Sequence, residues 1–161
     1  MKRAIIISVA AFLLFGGCWY SFTLKPYGDI ETIFVEAFGN ETDRYELPLT
    51  ITEKLIEELY GGSVLKLVGS DAAQSIIGGT ITAYENEAYS YTSGEEPLDF
   101  RVTVRAKVRF AKAGEDKAIW ETSFEGFATY PVDESTKSRE QALEEATSML
   151  ISRIVDRIRT G

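Results

Sequence analysis

Arg101-Val102-Thr103-Val104-Arg105-Ala106-Lys107-Val108-Arg109-Phe110 alternates without a break between an apolar set and a polar, mostly cationic set. Successive side chains of a strand point to opposite faces, so the stretch reads as a strand with one face in a core and the other in water. Upstream, Ile77, Gly79, Ile81 and Ala83 alternate with Gly78, Thr80, Thr82 and Tyr84, which predicts a second strand within Ser75 to Tyr91. The acidic, Ser93-Gly94-containing segment Asn86 to Pro97 is expected to turn the chain back. Downstream, Gly114 to Lys117 makes the next turn, and Lys117 to Tyr130 gives a third strand. There Trp120, Thr122 and Phe124 share one face while Glu121, Ser123 and Glu125 share the other.

Two helices flank this meander. Leu143, Ala146, Leu150, Ile154 and Ile158 fall on one stripe near the C-terminus, and Ser138 with Gln141 has capping-box spacing. Glu140, Glu144 and Glu145 lie at its start and Arg153, Arg157 and Arg159 at its end, each where the helix dipole attracts that sign. Earlier, Leu47, Ile51, Leu55 and Leu59 recur every four residues, with Pro48 suited to a first turn, Thr50 and Glu53 spaced as a cap, and Gly61-Gly62 as the stop. This helix sits between a β-rich run from Ile30 to Phe38, stopped by Gly39-Asn40, and a short strand from Ser63 to Val68. A strand-helix-strand crossover predicts that those two strands are parallel. The fold class is therefore α+β: a small mixed β-sheet with two α-helices packed on one face.

The chain has 161 residues, a net charge of −8, one cysteine and no histidine. Met1-Lys2-Arg3, the apolar run Ala4 to Phe15 and then Gly16-Gly17-Cys18 read as a secretory signal over residues 1–17, since about a dozen apolar residues fall short of the roughly 20 that span a bilayer. Residues 18–161 then form a single α/β domain tethered at its N-terminus. Phe15-Gly16-Gly17-Cys18 resembles a bacterial lipobox, with Phe15 where leucine is usual, in which Cys18 becomes the acylated first residue. The alternative for Cys18 is a small apolar residue inside an anchor helix. An unpaired thiol in an exported chain is otherwise a liability, and several fatty chains on one residue hold a domain firmly at a membrane. Trp19 after the cysteine, where aspartate would retain the protein at the inner membrane, resembles an outer-membrane address.

Without the leader the chain carries 15 basic against 25 acidic residues, a net charge of −10. That charge opposes nucleic-acid binding, which needs clustered cations. With no histidine and one acylated cysteine, the zinc and copper sites built on those ligands and the Ser-His or Cys-His nucleophiles have no residues to form from. Gly61-Gly62 and Gly78-Gly79 lack the partners of a phosphate loop. No enzyme activity, cofactor or metal is expected.

Cys18-Trp19-Tyr20-Ser21-Phe22, then Ile30-Glu31-Thr32-Ile33-Phe34-Val35-Glu36-Ala37-Phe38-Gly39-Asn40-Glu41-Thr42, resembles the start of mature proteins of the LptE family of lipopolysaccharide-assembly lipoproteins. The helix Leu49 to Leu59, Leu65-Lys66-Leu67-Val68, Gly79-Thr80-Ile81-Thr82-Ala83-Tyr84, Phe100-Arg101-Val102 and Trp120-Glu121 continue the likeness in order. The resemblance implies a non-catalytic subunit at the periplasmic face of the outer membrane, seated as plug and assembly factor in an LptD-type β-barrel and binding lipopolysaccharide. A second reading is an outer-membrane lipoprotein that activates a periplasmic peptidoglycan synthase or caps a secretion pore.

Arg101, Arg105, Lys107 and Arg109 form the densest positive strip and are candidates for lipid A phosphates, which guanidinium binds in forked geometry. The alternative is that Glu121 and Glu125 neutralise them across the strand pair. The resemblance further implies a lipid-contacting cation in the loop before the last helix. Lys137 matches that place with Arg139 beside it, while the family's companion basic position, near Tyr91 to Gly94, holds no basic residue here. Ordinary solvated loop charges are the alternative. Tyr84, Tyr89 and Tyr91 are candidates for the partner interface, because tyrosine combines apolar area with a polar tip; rings packed on their own hairpin are the other reading.

Overall fold

The computed structural model describes residues 26–62 and 64–161, so the expected leader 1–17 and the anchor Cys18 lie outside the described residues. In chain order the elements are β1 (Thr32–Val35), β2 (Gly39–Asn40), α1 (Leu47–Tyr60), β3 (Lys66–Leu67), a 3-10 turn (Ser70–Ala72), β4 (Ser75–Tyr91), β5 (Pro97–Lys112), β6 (Ala118–Pro131) and α2 (Arg139–Thr160). They form one mixed sheet in the order β3-β1-β4-β5-β6, with β2 added beside β4. β1 runs parallel to both β3 and β4, as the crossover requires. The meander β4-β5-β6 is antiparallel.

Both helices lie on one face and supply the stripes read from the sequence. Leu47, Ile51, Leu55 and Leu59 of α1, and Ala146, Leu150, Ile154 and Ile158 of α2, are buried against Ile33, Ile77, Ile81, Val102, Val104, Val108 and Phe110. Each such aliphatic side chain contributes about 1.5–3 kcal/mol when fully buried. The closest approach is at Gly126 of β6, where an added Cβ would overlap the Ala146 carbonyl oxygen and stand 2.6 Å from the Leu150 nitrogen. The Ser138 cap forms in both directions, Gln141 N to Ser138 Oγ at 3.3 Å and Ser138 N to Gln141 Oε1 at 2.8 Å.

Four expectations are corrected. The run from Ile30 to Phe38 is not one strand stopped at Gly39-Asn40. The ladder breaks where the Phe38 amide donates to Thr52 Oγ1, and Gly39-Asn40 resumes it against Thr80 and Ile81. Asn40 still organises a turn one step later, its Oδ1 accepting from the Thr42 amide at 3.0 Å and its amide donating to the Arg44 carbonyl. Thr50 does not cap α1. The helix begins at Leu47 with Pro48 in its first turn, and the Thr50 hydroxyl donates to the Glu46 carbonyl within it.

Asn86 does not begin a turn either, because the β4-β5 ladder holds it opposite Val102 and its amide donates to the Tyr130 hydroxyl at 2.9 Å. The reversal falls between Tyr91 and Pro97, with Glu95 at φ 64. Finally, the alternation of β4 fails at Thr82, where a bulge between Ile81 and Ala83 shifts the register. One extra residue exchanges the two faces of a strand, so Tyr84 opposes Val104 and points to the helix side instead of sharing a face with Thr80.

Candidate cation strip and tyrosines on the open sheet

The face of the sheet away from the helices carries the cationic strip, and its partners differ from residue to residue. Arg105 lies between two carboxylates, Nη1 to Glu85 at 2.5 Å and Nε to Glu125 at 2.7 Å. Those hydrogen bonds raise its pKa further above the usual guanidinium value. Lys107 pairs with Glu121 at 2.6 Å. Arg109 Nη2 donates to the carbonyls of Glu115 and Asp116, which secures the β5-β6 turn. Exposed pairs of this kind contribute about 0–1 kcal/mol each, but each one occupies the cation it contains.

Arg101 is different. It stands between Glu87 and Thr129 in the ladder and makes no ion pair among the described residues. Its guanidinium carbon lies 3.7 Å from the Tyr89 ring centroid and 4.7 Å from that of Phe127, and its Nε is buried without a hydrogen-bond partner. Two rings therefore hold the cation, and no carboxylate or carbonyl among the described residues accepts from its N–H groups. Phe127 continues the alternation Glu121, Ser123, Glu125, so its place on this face was readable from the sequence. Tyr89 was not, because the bulge at Thr82 exchanges the faces of the β4 residues that follow it.

The other candidates do not join this site. Lys137 pairs with Glu145 at 2.8 Å and Arg139 with Glu140 at 3.0 Å, both at the start of α2. The Arg139 hydrogen bond holds the Glu140 carboxyl below its ordinary range. Tyr84 is half-buried on the helix side with Arg44 stacked 4.9 Å from its ring centroid, and desolvation pushes its phenol up. Tyr91 is exposed near the hairpin tip, opposite Pro97. The three tyrosines thus occupy three environments, and only Tyr89 meets a member of the strip. Among the described residues no cluster of acids could hold a metal ion, and no helix is long and apolar enough to cross a membrane.

A family model described as lipopolysaccharide-assembly, LptE, matches residues 30–158. No curated protein matches the chain. Among solved structures, the chain is similar to an uncharacterized lipoprotein B from Nitrosomonas europaea (TM-score 0.59, 14% identity, covering 81% of this chain and 83% of that one). It is also similar to protein XCC0632 from Xanthomonas campestris (0.58, 7%, 82% and 88%) and to a point variant of PelC, a dodecamer, from Paraburkholderia phytofirmans (0.56, 12%, 81% and 90%). At these identities the likeness is one of fold.

Proposed function

Since the chain belongs to the LptE lipopolysaccharide-assembly family, we propose that it is a non-catalytic outer-membrane lipoprotein, tethered through acylated Cys18, that seats in an LptD-type β-barrel and contacts lipopolysaccharide through Arg101. The observation that carries the lipid contact is the uncommitted guanidinium between Tyr89 and Phe127. A phosphate arriving at Arg105 or Lys107 must first displace a carboxylate 2.5–2.7 Å away, whereas Arg101 has none to displace. The seat in a barrel is supported by the open face itself, whose ion-paired and hydroxyl side chains suit a polar barrel interior. Single-domain organisation over residues 18–161, after removal of 1–17, belongs to the same proposal.

Tagged protein purified from its native locus should bring down a large β-barrel, and its depletion should leave that barrel misassembled. Recovery of a peptidoglycan synthase or a secretion pore in its place overturns the barrel assignment. Cys18→Ser protein should lose fatty-acid label and leave the membrane fraction; label retained on that variant refutes the anchor.

A further inference from the structure

β6 is an edge of the sheet, with β5 on one side and no strand on the other among the described residues. The Val132 amide donates to the Leu98 carbonyl on the β5 side, while Arg153 Nη1 reaches the Glu125 carbonyl from outside. Backbone groups of an antiparallel strand alternate between its two sides, so Glu121, Ser123 and Glu125 turn their N–H and C=O groups outward. Arg153 crosses the edge at Glu125 on its way to the Phe127 ring, 5.8 Å from its guanidinium carbon. From Ile119 to Ser123 no described residue covers that edge. The helix side is open at the same place: Thr122 is exposed and Phe124 half-buried, although Trp120 and Gly126 to either side are buried. An uncovered edge of this kind is a template for a further strand.

The described chain begins beside this edge. The Tyr27 hydroxyl accepts from Trp120 Nε1 at 3.2 Å, its ring lies 4.8 Å from the Phe110 centroid, and Pro26 rests against Gly161 at the end of α2. Immediately before Pro26, Tyr20, Phe22 and Leu24 alternate with Ser21, Thr23 and Lys25, the period of a strand with one apolar face. At about 3.3 Å per residue, Trp19 to Lys25 can reach roughly 23 Å, enough to run from Trp120 past Glu125. We propose that Trp19 to Lys25 pairs with the outer edge of β6 as a further strand. A segment that reaches Trp120 last runs against β6, so the pairing is antiparallel. It lays Tyr20, Phe22 and Leu24 over the opening at Thr122 and Phe124, and sets Ser21, Thr23 and Lys25 beside Glu121 and Ser123. The strand does not depend on acylation of Cys18; given the proposed anchor, it takes up the slack before the domain and holds the β6 edge at the membrane.

Amide hydrogen exchange of the full chain extracted from membranes in detergent, followed residue by residue by NMR, tests this. The Glu121 and Ser123 amides should exchange slowly although β5 does not hold them. Ser21→Pro/Thr23→Pro removes two N–H donors from the new ladder and should speed exchange at Glu121 and Ser123 at least 10-fold. Phe22→Ser/Leu24→Ser, which keeps those donors but loses the apolar cover, should do the same. Thr122 and Phe124, whose amides face β5, should stay within 2-fold in both variants, which also shows that the sheet is intact. Fast exchange at Glu121 and Ser123 in the wild-type chain overturns the proposal, as does protection that survives both variants. Protection that grows with protein concentration overturns it too, since the edge is then filled by a second copy.

Discussion

The guanidinium of Arg101 rests 3.7 Å from the centroid of the Tyr89 ring, and that contact exists because β4 gains residues relative to β5. With Nε buried, the two terminal Nη groups, which no carboxylate occupies, are the ones left to meet a phosphate in forked geometry. Arg101→Ala should weaken lipopolysaccharide binding about 10-fold or more, as expected for a charge-assisted bond of roughly 1.5–3 kcal/mol. Arg101→Lys should recover only part of it, lacking the fork. The triple replacement of Arg105, Lys107 and Arg109 with Ala should have the smaller effect. A binding titration in which the triple variant loses more than Arg101→Ala would place the contact on the paired strip.

Gly126→Ala puts a methyl group against the backbone of α2, not against a side chain that can rotate away. Because that methyl overlaps the Ala146 oxygen, the helix must move off β6. Overpacking of this sort costs about 1–3 kcal/mol, and the denaturation midpoint should fall accordingly. Gly62→Ala, whose nearest neighbour would be the end of the long Arg159 side chain at 3.6 Å, is the control and should stay within about 0.5 kcal/mol.

How far the sequence disclosed this molecule follows from where its periodicity is uninterrupted. β5 alternates without a break in sequence from Arg101 to Phe110, and the alternation places Arg101, Arg105, Lys107 and Arg109 on the open face without further information. α2 is equally plain, because stripe, cap and dipole agree. β4 is the opposite case: its three register shifts are set by the ladder with β5, not by any residue type, and the one at Thr82 exchanges the faces of Tyr84 and Tyr89. Gly39-Asn40 carries turn chemistry that a neighbouring strand overrides, a tertiary effect invisible to local pattern. The pairing of Arg105 with Glu85 needed the same register that the bulge at Thr82 alters. What distinguishes Arg101 within the strip is therefore a property of the assembled sheet.

Burial raises the Tyr84 phenol above its ordinary value of 10, against the opposing pull of Arg44 and Arg139. The folded state thus holds the neutral phenol to higher pH than the unfolded chain does. The associated stability is complete below pH 10 and is lost as pH rises through the folded value. Tyr84→Phe cannot ionise, so the difference in unfolding midpoint between wild type and variant should be constant from pH 7 to 9. It should then move against wild type above pH 10. A difference that stays flat up to pH 11 means that the ring is not shielded as the structure has it.

Tyr27 closes the end of the core where the chain arrives from its proposed anchor. Its hydroxyl accepts from Trp120 Nε1 and donates to the Arg157 carbonyl, both at 3.2 Å, while its ring packs 4.8 Å from the Phe110 centroid. The folded unit consequently begins before residue 30, where the family match starts. Tyr27→Phe should cost about 1 kcal/mol, the usual net value of a hydrogen bond, and shift Trp120 fluorescence as its N–H loses its acceptor. A chain starting at Ile30 should lose more, since the ring contact goes as well. Equal unfolding midpoints for chains starting at Pro26 and at Ile30 would show that the segment is only a tether.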